Sequence, residues 1–269
     1  MVLATIFTGF AGHSTEAGNR SGKKKKVTRV WLIGDSTMTD YSQESDYKTK
    51  RFPIMGWGQV FQPFMCSDSL KQIRNIISTD SAIVDDRARG GRSTRSFFEE
   101  GRWSEIYRIL QPGDVVMIQF GHNDASQSKG ERYVSIPGYK EFLRLYVTQS
   151  REKGALPILI TPVARNYPWQ DGKLSNTHGD YPDAMKEVAD ELSVYLIDLN
   201  ELSMEFFSSK GQDYSTTNYF MNFPPGLYEA YPEGSKDNTH FQPEGAFEVA
   251  NLIYQAMKGL RGSDAGSHR

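Results

Sequence analysis

The chain has 269 residues, a formal net charge of −2, and 38% hydrophobic against 24% charged residues. That balance describes a globular chain long enough to bury a sizeable core, and it excludes a general nucleic-acid binder, which would carry a basic surplus. A lone cysteine, Cys66, excludes an intrachain disulfide and fits a cytoplasmic protein as well as many bacterial secreted ones.

The stretch Val2–Phe10 is apolar but too short to span a bilayer, and no Lys or Arg precedes it. Residues 1–26 therefore read as a leader, or as the back half of a signal peptide with Ala11 or Ala17 near a cleavage point. The polar part of this stretch, ending in the basic run Lys23–Lys26, and the tail 261–269 are expected to be disordered. A secreted or periplasmic location is the expectation, with a cytoplasmic one left open. No internal stretch is a membrane-span candidate, so no membrane insertion is expected. Residues 27–260 show no internal repeat and no linker, and read as one domain.

Within that body, apolar strand-like runs alternate with helix-length segments. The strands are placed at Val27–Ile33, Ala82–Asp86, Val115–Phe120, Leu156–Thr161 and Tyr195–Asp198. Helices are placed at Gly58–Met65, Thr94–Leu110 with a break near Gly101, Gly138–Lys153, Pro182–Leu192, Leu199–Lys210 and Pro243–Leu260. Continuous apolar strands between helices imply a parallel sheet covered on both faces. The fold class is α/β: a three-layer α/β/α sandwich around a central parallel sheet of about five strands. Asp40–Met55, Ala164–Asp180 and Gln212–Asn238 lack periodicity and read as loops that shape a ligand cleft.

The first strand runs into Gly34-Asp35-Ser36-Thr37, and the chain later reaches Asp237-Asn238-Thr239-His240. A serine nucleophile needs a base, and the base needs a carboxylate that fixes its tautomer. Ser36, His240 and Asp237 supply these roles, with base and carboxylate on one turn. Acyl transfer also needs donors aimed at the oxyanion. Gly91, where a backbone N–H can approach closely, Asn123, just past a strand, and the N–H of Ser36 fit that role. Each lies within a few residues of a strand's carboxyl end, where ligands bind in such sheets. The competing reading of Ser36 is a helix N-cap.

Several blocks stand in register: Gly34-Asp35-Ser36-Thr37-Met38, Gly56-Trp57-Gly58, Gly91-Arg92-Ser93-Thr94-Arg95-Ser96-Phe97 and Gly121-His122-Asn123-Asp124 come first. Thr161-Pro162-Val163-Ala164-Arg165, His178-Gly179-Asp180-Tyr181-Pro182, Asp237-Asn238-Thr239-His240-Phe241 and Gly245-Ala246 follow. Together they resemble the SGNH (GDSL-type) hydrolase superfamily, and within it the rhamnogalacturonan acetylesterases, over about Val30 to Ala250. The resemblance implies a flavodoxin-like sandwich, a Ser36–His240–Asp237 triad, an oxyanion hole of Ser36, Gly91 and Asn123, and an acetylated pectic polysaccharide or oligosaccharide as substrate. Tyr214–Tyr231 does not align with that pattern and reads as a specific insertion, which leaves the exact sugar open.

Substrate contacts are expected from Trp57, Arg92, Arg102 and His178. The arginines Arg89, Arg92, Arg95 and Arg102 suit a uronate carboxylate, against the alternative of ion pairs with Glu99, Glu100 and Asp124. Trp57, Tyr167, Trp169, Tyr219, Phe223 and Tyr228 are candidates either for stacking on sugar rings or for packing within their loops. Asp35 is expected to hydrogen-bond locally, and His122 to be structural. No Cys pair or His cluster has metal-ligand spacing and no dinucleotide or phosphate fingerprint is present, so neither metal nor cofactor is expected. The alternatives are an acetylesterase of another polysaccharide such as xylan, a short-chain lipid esterase or thioesterase, and a binding module that inherited the fold. Oligomeric state is not legible.

Overall fold

The computed structural model describes residues 27–260; the expected leader and tail lie outside the described residues. In chain order the elements are β1 (Thr28–Gly34), α1 (Tyr47–Lys50), α2 (Ser67–Leu70), β2 (Ala82–Asp86), α3 (Thr94–Glu99), α4 (Arg102–Ile109), β3 (Val115–Gln119), α5 (Ile136–Glu152) and β4 (Leu156–Ile160). They continue with β5 (Trp169–Gln170), β6 (Lys173–Leu174), α6 (Tyr181–Leu192), β7 (Tyr195–Ile197), α7 (Leu199–Lys210), α8 (Gln212–Tyr214), β8 (Phe220–Phe223), β9 (Ser235–Phe241) and α9 (Pro243–Gly259).

The central sheet has the order β2-β1-β3-β4-β7, and every pairing in it is parallel. Successive strand residues point to opposite faces, and both faces are dry. Val30, Leu32, Val115, Met117, Ile158 and Ile160 pack on one side with α7 and α9 residues such as Phe207, Val249 and Ile253. Trp31, Ile33, Val116, Ile118 and Leu159 pack on the other with Phe97, Trp103, Tyr146 and Met185 from α3–α6. Each such side chain, fully withdrawn from water, contributes about 1.5–3 kcal/mol before entropy is counted. The expected three-layer α/β/α sandwich is what forms.

After β1 the chain moves to one side to make β2, then returns across β1 to make β3. This reversal of strand order opens a crevice at the carboxyl ends of β1 and β3, the place where open parallel sheets bind ligands. Ser36 follows β1, Gly91 follows β2 and Asn123 follows β3.

Some expected elements are corrected. Gly58–Met65 is not one helix but two short 3₁₀ turns, Trp57–Val60 and Gln62–Met65; Pro63 has no N–H to continue a helical ladder. The break expected near Gly101 is real, because Gly101 sits at φ 76° between α3 and α4. The stretches read as loops hold small ordered pieces, namely α1, the ribbon β5–β6, and α8 with the antiparallel pair β8–β9. These short pieces carry too few residues to register a period.

Candidate active site

The turn after β1 is fixed by Asp35. Its Oδ1 accepts from the Thr37 N–H at 2.9 Å and the Thr37 hydroxyl at 2.8 Å, and its carbonyl accepts from the Thr39 hydroxyl at 2.8 Å. Asp35 is fully buried; burial alone would raise its pKa, but the neighbouring His122 and the Thr37 donors outweigh it and hold the carboxyl below its ordinary value. Thr37 also accepts from Gln119 Nε2 at 2.7 Å, and Gln119 in turn accepts from Trp57 Nε1 at 2.8 Å. Gly56 and Gly58 let this second loop lie directly on the turn, since a Cβ at Gly56 would meet Met38 and Thr39 backbone atoms at 2.4 Å. Trp57 is thus fully buried and braces the nucleophile turn. The expectation that it contacts substrate is corrected.

Asp237 and His240 lie on strand β9, not on a free turn as expected. Residues three apart on a regular strand point to opposite faces. Here the register with β8 jumps from Phe220↔Phe241 to Met221↔Asp237. Asn238, Thr239 and His240 bulge out of the ladder, and the strand turns both side chains to one side. Asp237 Oδ1 closes the bulge by accepting from the N–H groups of Thr239 at 2.8 Å and His240 at 3.1 Å. Its Oδ2 lies 2.6 Å from His240 Nδ1, and His240 Nε2 lies 2.8 Å from Ser36 Oγ. With Nδ1–H donated to the carboxylate, Nε2 is left to accept the serine proton.

Burial would raise the Asp237 pKa, but the hydrogen bond and charge of His240 and the two backbone donors win, holding it below the ordinary value. A depressed carboxyl pKa means the ionised form, and what it contributes, is lost only as pH falls through that lowered value. Asp237 protonation therefore takes no part in any loss of activity above about pH 4, the ordinary Asp value. A step in the pH profile of kcat/KM that is lost in Asp237→Asn should lie below that value; one found above it would contradict the depressed carboxyl.

Gly90, Gly91 and Asn123 line the same cavity as Ser36. A Cβ at Gly90 would stand 3.6 Å from Ser36 Cβ, and Gly91 holds φ 81°, a conformation that favours glycine. Asn123 Nδ2 donates to the Arg92 carbonyl at 2.9 Å, and its Oδ1 accepts from Arg132 Nη1 at 2.9 Å. Arginine has no acceptor, so this contact fixes which way the amide faces and leaves one Nδ2 hydrogen for an oxyanion. Asn123→Ala should lower kcat by about 10²–10³ with little change in KM. A raised KM with kcat held would make Asn123 a ground-state binding residue.

Asp124, one of three carboxylates offered as alternative partners for the arginines, instead ties the loops after β2 and β3 together. It accepts from the Thr94 N–H at 2.9 Å, the Thr94 hydroxyl at 2.6 Å and the Gly121 N–H at 3.1 Å. Burial pushes its carboxyl up to about 7 against those donors.

The cavity around Ser36 is about 670 Å³ and is ringed by Arg51, Arg89, Arg92, Lys129, Arg132 and Arg165, with Glu44 and Asp237 as its acids. Arg92 and Arg102 are both held by Glu100, at 3.0 Å and 2.6 Å. Arg92 still reaches the cavity, while Arg102 does not line it. His178 is 1% exposed, its ring packed edge-on against His122 at 4.4 Å. Burial, then the charges of His122 and Arg165, lower its pKa far below the ordinary value, so it is a neutral core group rather than a substrate contact. His122 lines the cavity with Nδ1 3.3 Å from Asp35 Oδ2, a distance without hydrogen-bond alignment. Arg132 was not singled out beforehand, and Arg165 only as the last residue of a quoted block, with no site role. The signal was thin: each stands in a loop, and the fold brings Arg132 to Asn123 Oδ1 and Arg165 to the His122 carbonyl. Among the described residues no group of three or more His, Cys, Asp or Glu is arranged to hold a metal ion.

The geometry agrees with comparisons to known proteins. Residues 32–246 match the GDSL-like Lipase/Acylhydrolase family. The rhamnogalacturonan acetylesterase RhgT of Bacillus subtilis (strain 168) is 37% identical over 236 residues, spanning 88% of this chain and 92% of that protein. The probable rhamnogalacturonan acetylesterase YesY of the same organism is 40% identical over 87% of this chain and 94% of the relative. The crystal structure of Bacillus subtilis YxiM superposes with a TM-score of 0.68 at 25% identity, covering 88% of this chain and 58% of that one. An acetylxylan esterase from Geobacillus stearothermophilus shares the fold at a TM-score of 0.55 and 18% identity, covering 88% of this chain and 97% of that one. With its serine, histidine and aspartate joined by hydrogen bonds at the sheet's switch point and its family match covering most of the sequence, the chain belongs to the GDSL-like lipase/acylhydrolase family.

Proposed function

We propose that the protein is a secreted serine acetylesterase that removes acetyl groups from acetylated pectic polysaccharide and serves in pectin degradation. The observation that carries this reading is the make-up of the cavity around Ser36: a hydrogen-bonded triad ringed by cations. Among the described residues Lys129 and Arg165 have no carboxylate partner; Arg165 donates to the Tyr167 hydroxyl at 2.8 Å and the His122 carbonyl at 3.3 Å. Its Nε is buried without a partner. Pectic backbones carry uronate carboxylates, which the arginine fork matches. The names of the relatives agree with such a substrate.

Chemically, Ser36 Oγ attacks the acetyl carbonyl while His240 Nε2 takes its proton. The oxyanion is held by the Ser36 and Gly91 N–H groups and Asn123 Nδ2. Collapse expels the sugar alkoxide, which His240 protonates. Water then gives a proton to His240, attacks the acetyl-serine, and acetate leaves as Ser36 recovers its proton.

A lipid esterase would need an apolar tunnel for the acyl chain, whereas this cavity is lined by charged and polar groups. Acetate and octanoate esters of one chromogenic alcohol separate the two readings. The acetate ester should be cleaved far faster; a preference for octanoate would overturn the acetylesterase reading. One added methylene shifts selectivity only modestly, so the wide difference in chain length is needed.

A further inference from the structure

The wall beside the triad has a second cavity behind it. Arg165 and Asp237 line the Ser36 cavity, while their sequence neighbours Asn166 and Asn238 line another of about 800 Å³. The two segments are joined where the Asn166 N–H donates to the Asn238 carbonyl at 2.8 Å. One wall, two residues deep in each segment, thus divides the two cavities.

The second cavity differs in chemistry. It is built from side-chain amides, and its charges are one acid, Glu233, and one base, Lys236. Asn238 Oδ1 accepts from Asn166 Nδ2 at 3.0 Å and from Asn222 Nδ2 at 2.9 Å. Asn222 Nδ2 also donates to the Asp237 carbonyl at 3.0 Å. Both Asn222 hydrogens are therefore used, leaving its Oδ1 as an acceptor. Asn238 has used its Oδ1, leaving its Nδ2 as a donor. An acceptor beside a donor suits a hydroxyl, which gives one hydrogen bond and takes another. Phe223, Pro224 and Pro225 supply an apolar edge on the same cavity, of the kind that takes the C–H face of a sugar ring. No cationic ring is present to select a carboxylate.

We propose that this second cavity is a subsite for a neutral sugar residue of the same polymer whose acetylated residue lies at Ser36. The proposal rests on the carbohydrate-esterase reading above. It gives the stretch between Gln212 and Asn238 a role: α8, β8 and the start of β9 build a second contact, so that a polymer is gripped on both sides of the triad wall.

Gln212 and Glu233 are exposed residues on this cavity, and tryptophan at either would obstruct it without disturbing the core. The experiment compares kcat/KM for acetylated pectic polymer with kcat/KM for 4-nitrophenyl acetate, which is too small to reach both cavities, in wild type, Gln212→Trp and Glu233→Trp. The polymer-to-aryl ratio should fall about tenfold in each variant, through KM for the polymer. A ratio within about twofold of wild type in both variants overturns the subsite. The effect should persist at about 0.5 M salt, because a neutral sugar is not held by screened charge; an effect that vanishes there overturns the neutral-sugar assignment. Wild type that cleaves the aryl ester but no acetylated carbohydrate overturns the carbohydrate reading itself, a failure distinct from an unchanged ratio.

Discussion

Ser36→Ala should lower kcat on acetyl esters by about 10⁶, to the level that binding and oxyanion donors alone provide. The variant removes the atom 2.8 Å from His240 Nε2, so no acetyl-enzyme forms and the imidazole has no hydroxyl to deprotonate. The fold should not notice. The turn is held by Asp35, Thr37 and Thr39 and by the Gly56-Trp57-Gly58 loop, none of which uses Ser36 Oγ. A change in unfolding free energy within about 0.5 kcal/mol is expected. Steady-state rates with a matched thermal melt check both halves. A folded variant that keeps a tenth of wild-type activity would remove Ser36 from the mechanism.

Asp237→Asn should lower kcat by about 10⁴. The amide keeps the shape of the carboxylate but can place an N–H against His240 Nδ1. Nδ1 must then accept, so Nε2 carries the hydrogen and faces the Ser36 hydroxyl as a donor. The base is lost through the wrong tautomer, and the positive imidazolium of the transition state loses its counter-charge. The oxygen of the new amide can still accept from the Thr239 and His240 N–H groups, so the bulge should hold and KM should change little. The kcat and KM of the folded variant decide the matter: a loss below about tenfold would mean that Asp237 shapes the bulge but does not orient the base.

Much of this site was legible before the fold. Long apolar runs such as Val30–Ile33 and Val115–Ile118 announce buried parallel strands. The residue types after them, Ser36, Gly91 and Asn123, are those acyl transfer needs at a sheet's carboxyl edge. What stayed hidden depended on tertiary geometry. Asp237 and His240 could be paired by spacing, but the bulge that lets a strand present both on one side depends on the register of β9 against β8. Trp57 looks like a sugar platform in sequence; its indole is instead sunk behind the nucleophile turn because two flanking glycines bring that loop into backbone contact. For Arg92 and Arg102 the sequence left a uronate and ion pairs both open, and Glu100 takes both. Arg132, nine residues past Asn123 in the loop after β3, bonds its amide oxygen, and Arg165 reaches the neighbouring His122 carbonyl from the loop after β4. Charge composition alone has no means of telling a paired arginine from one facing a cavity.

We propose that this triad serves an acidic, acetylated carbohydrate. Acetate release measured side by side on acetylated pectic, xylan and chitin fragments of similar length tests it most directly. The pectic fragments should be turned over with kcat/KM at least about tenfold above the others at low salt, with the margin shrinking as salt screens the arginine ring. Equal or faster release from xylan or chitin, with no dependence of that ranking on salt, would contradict it.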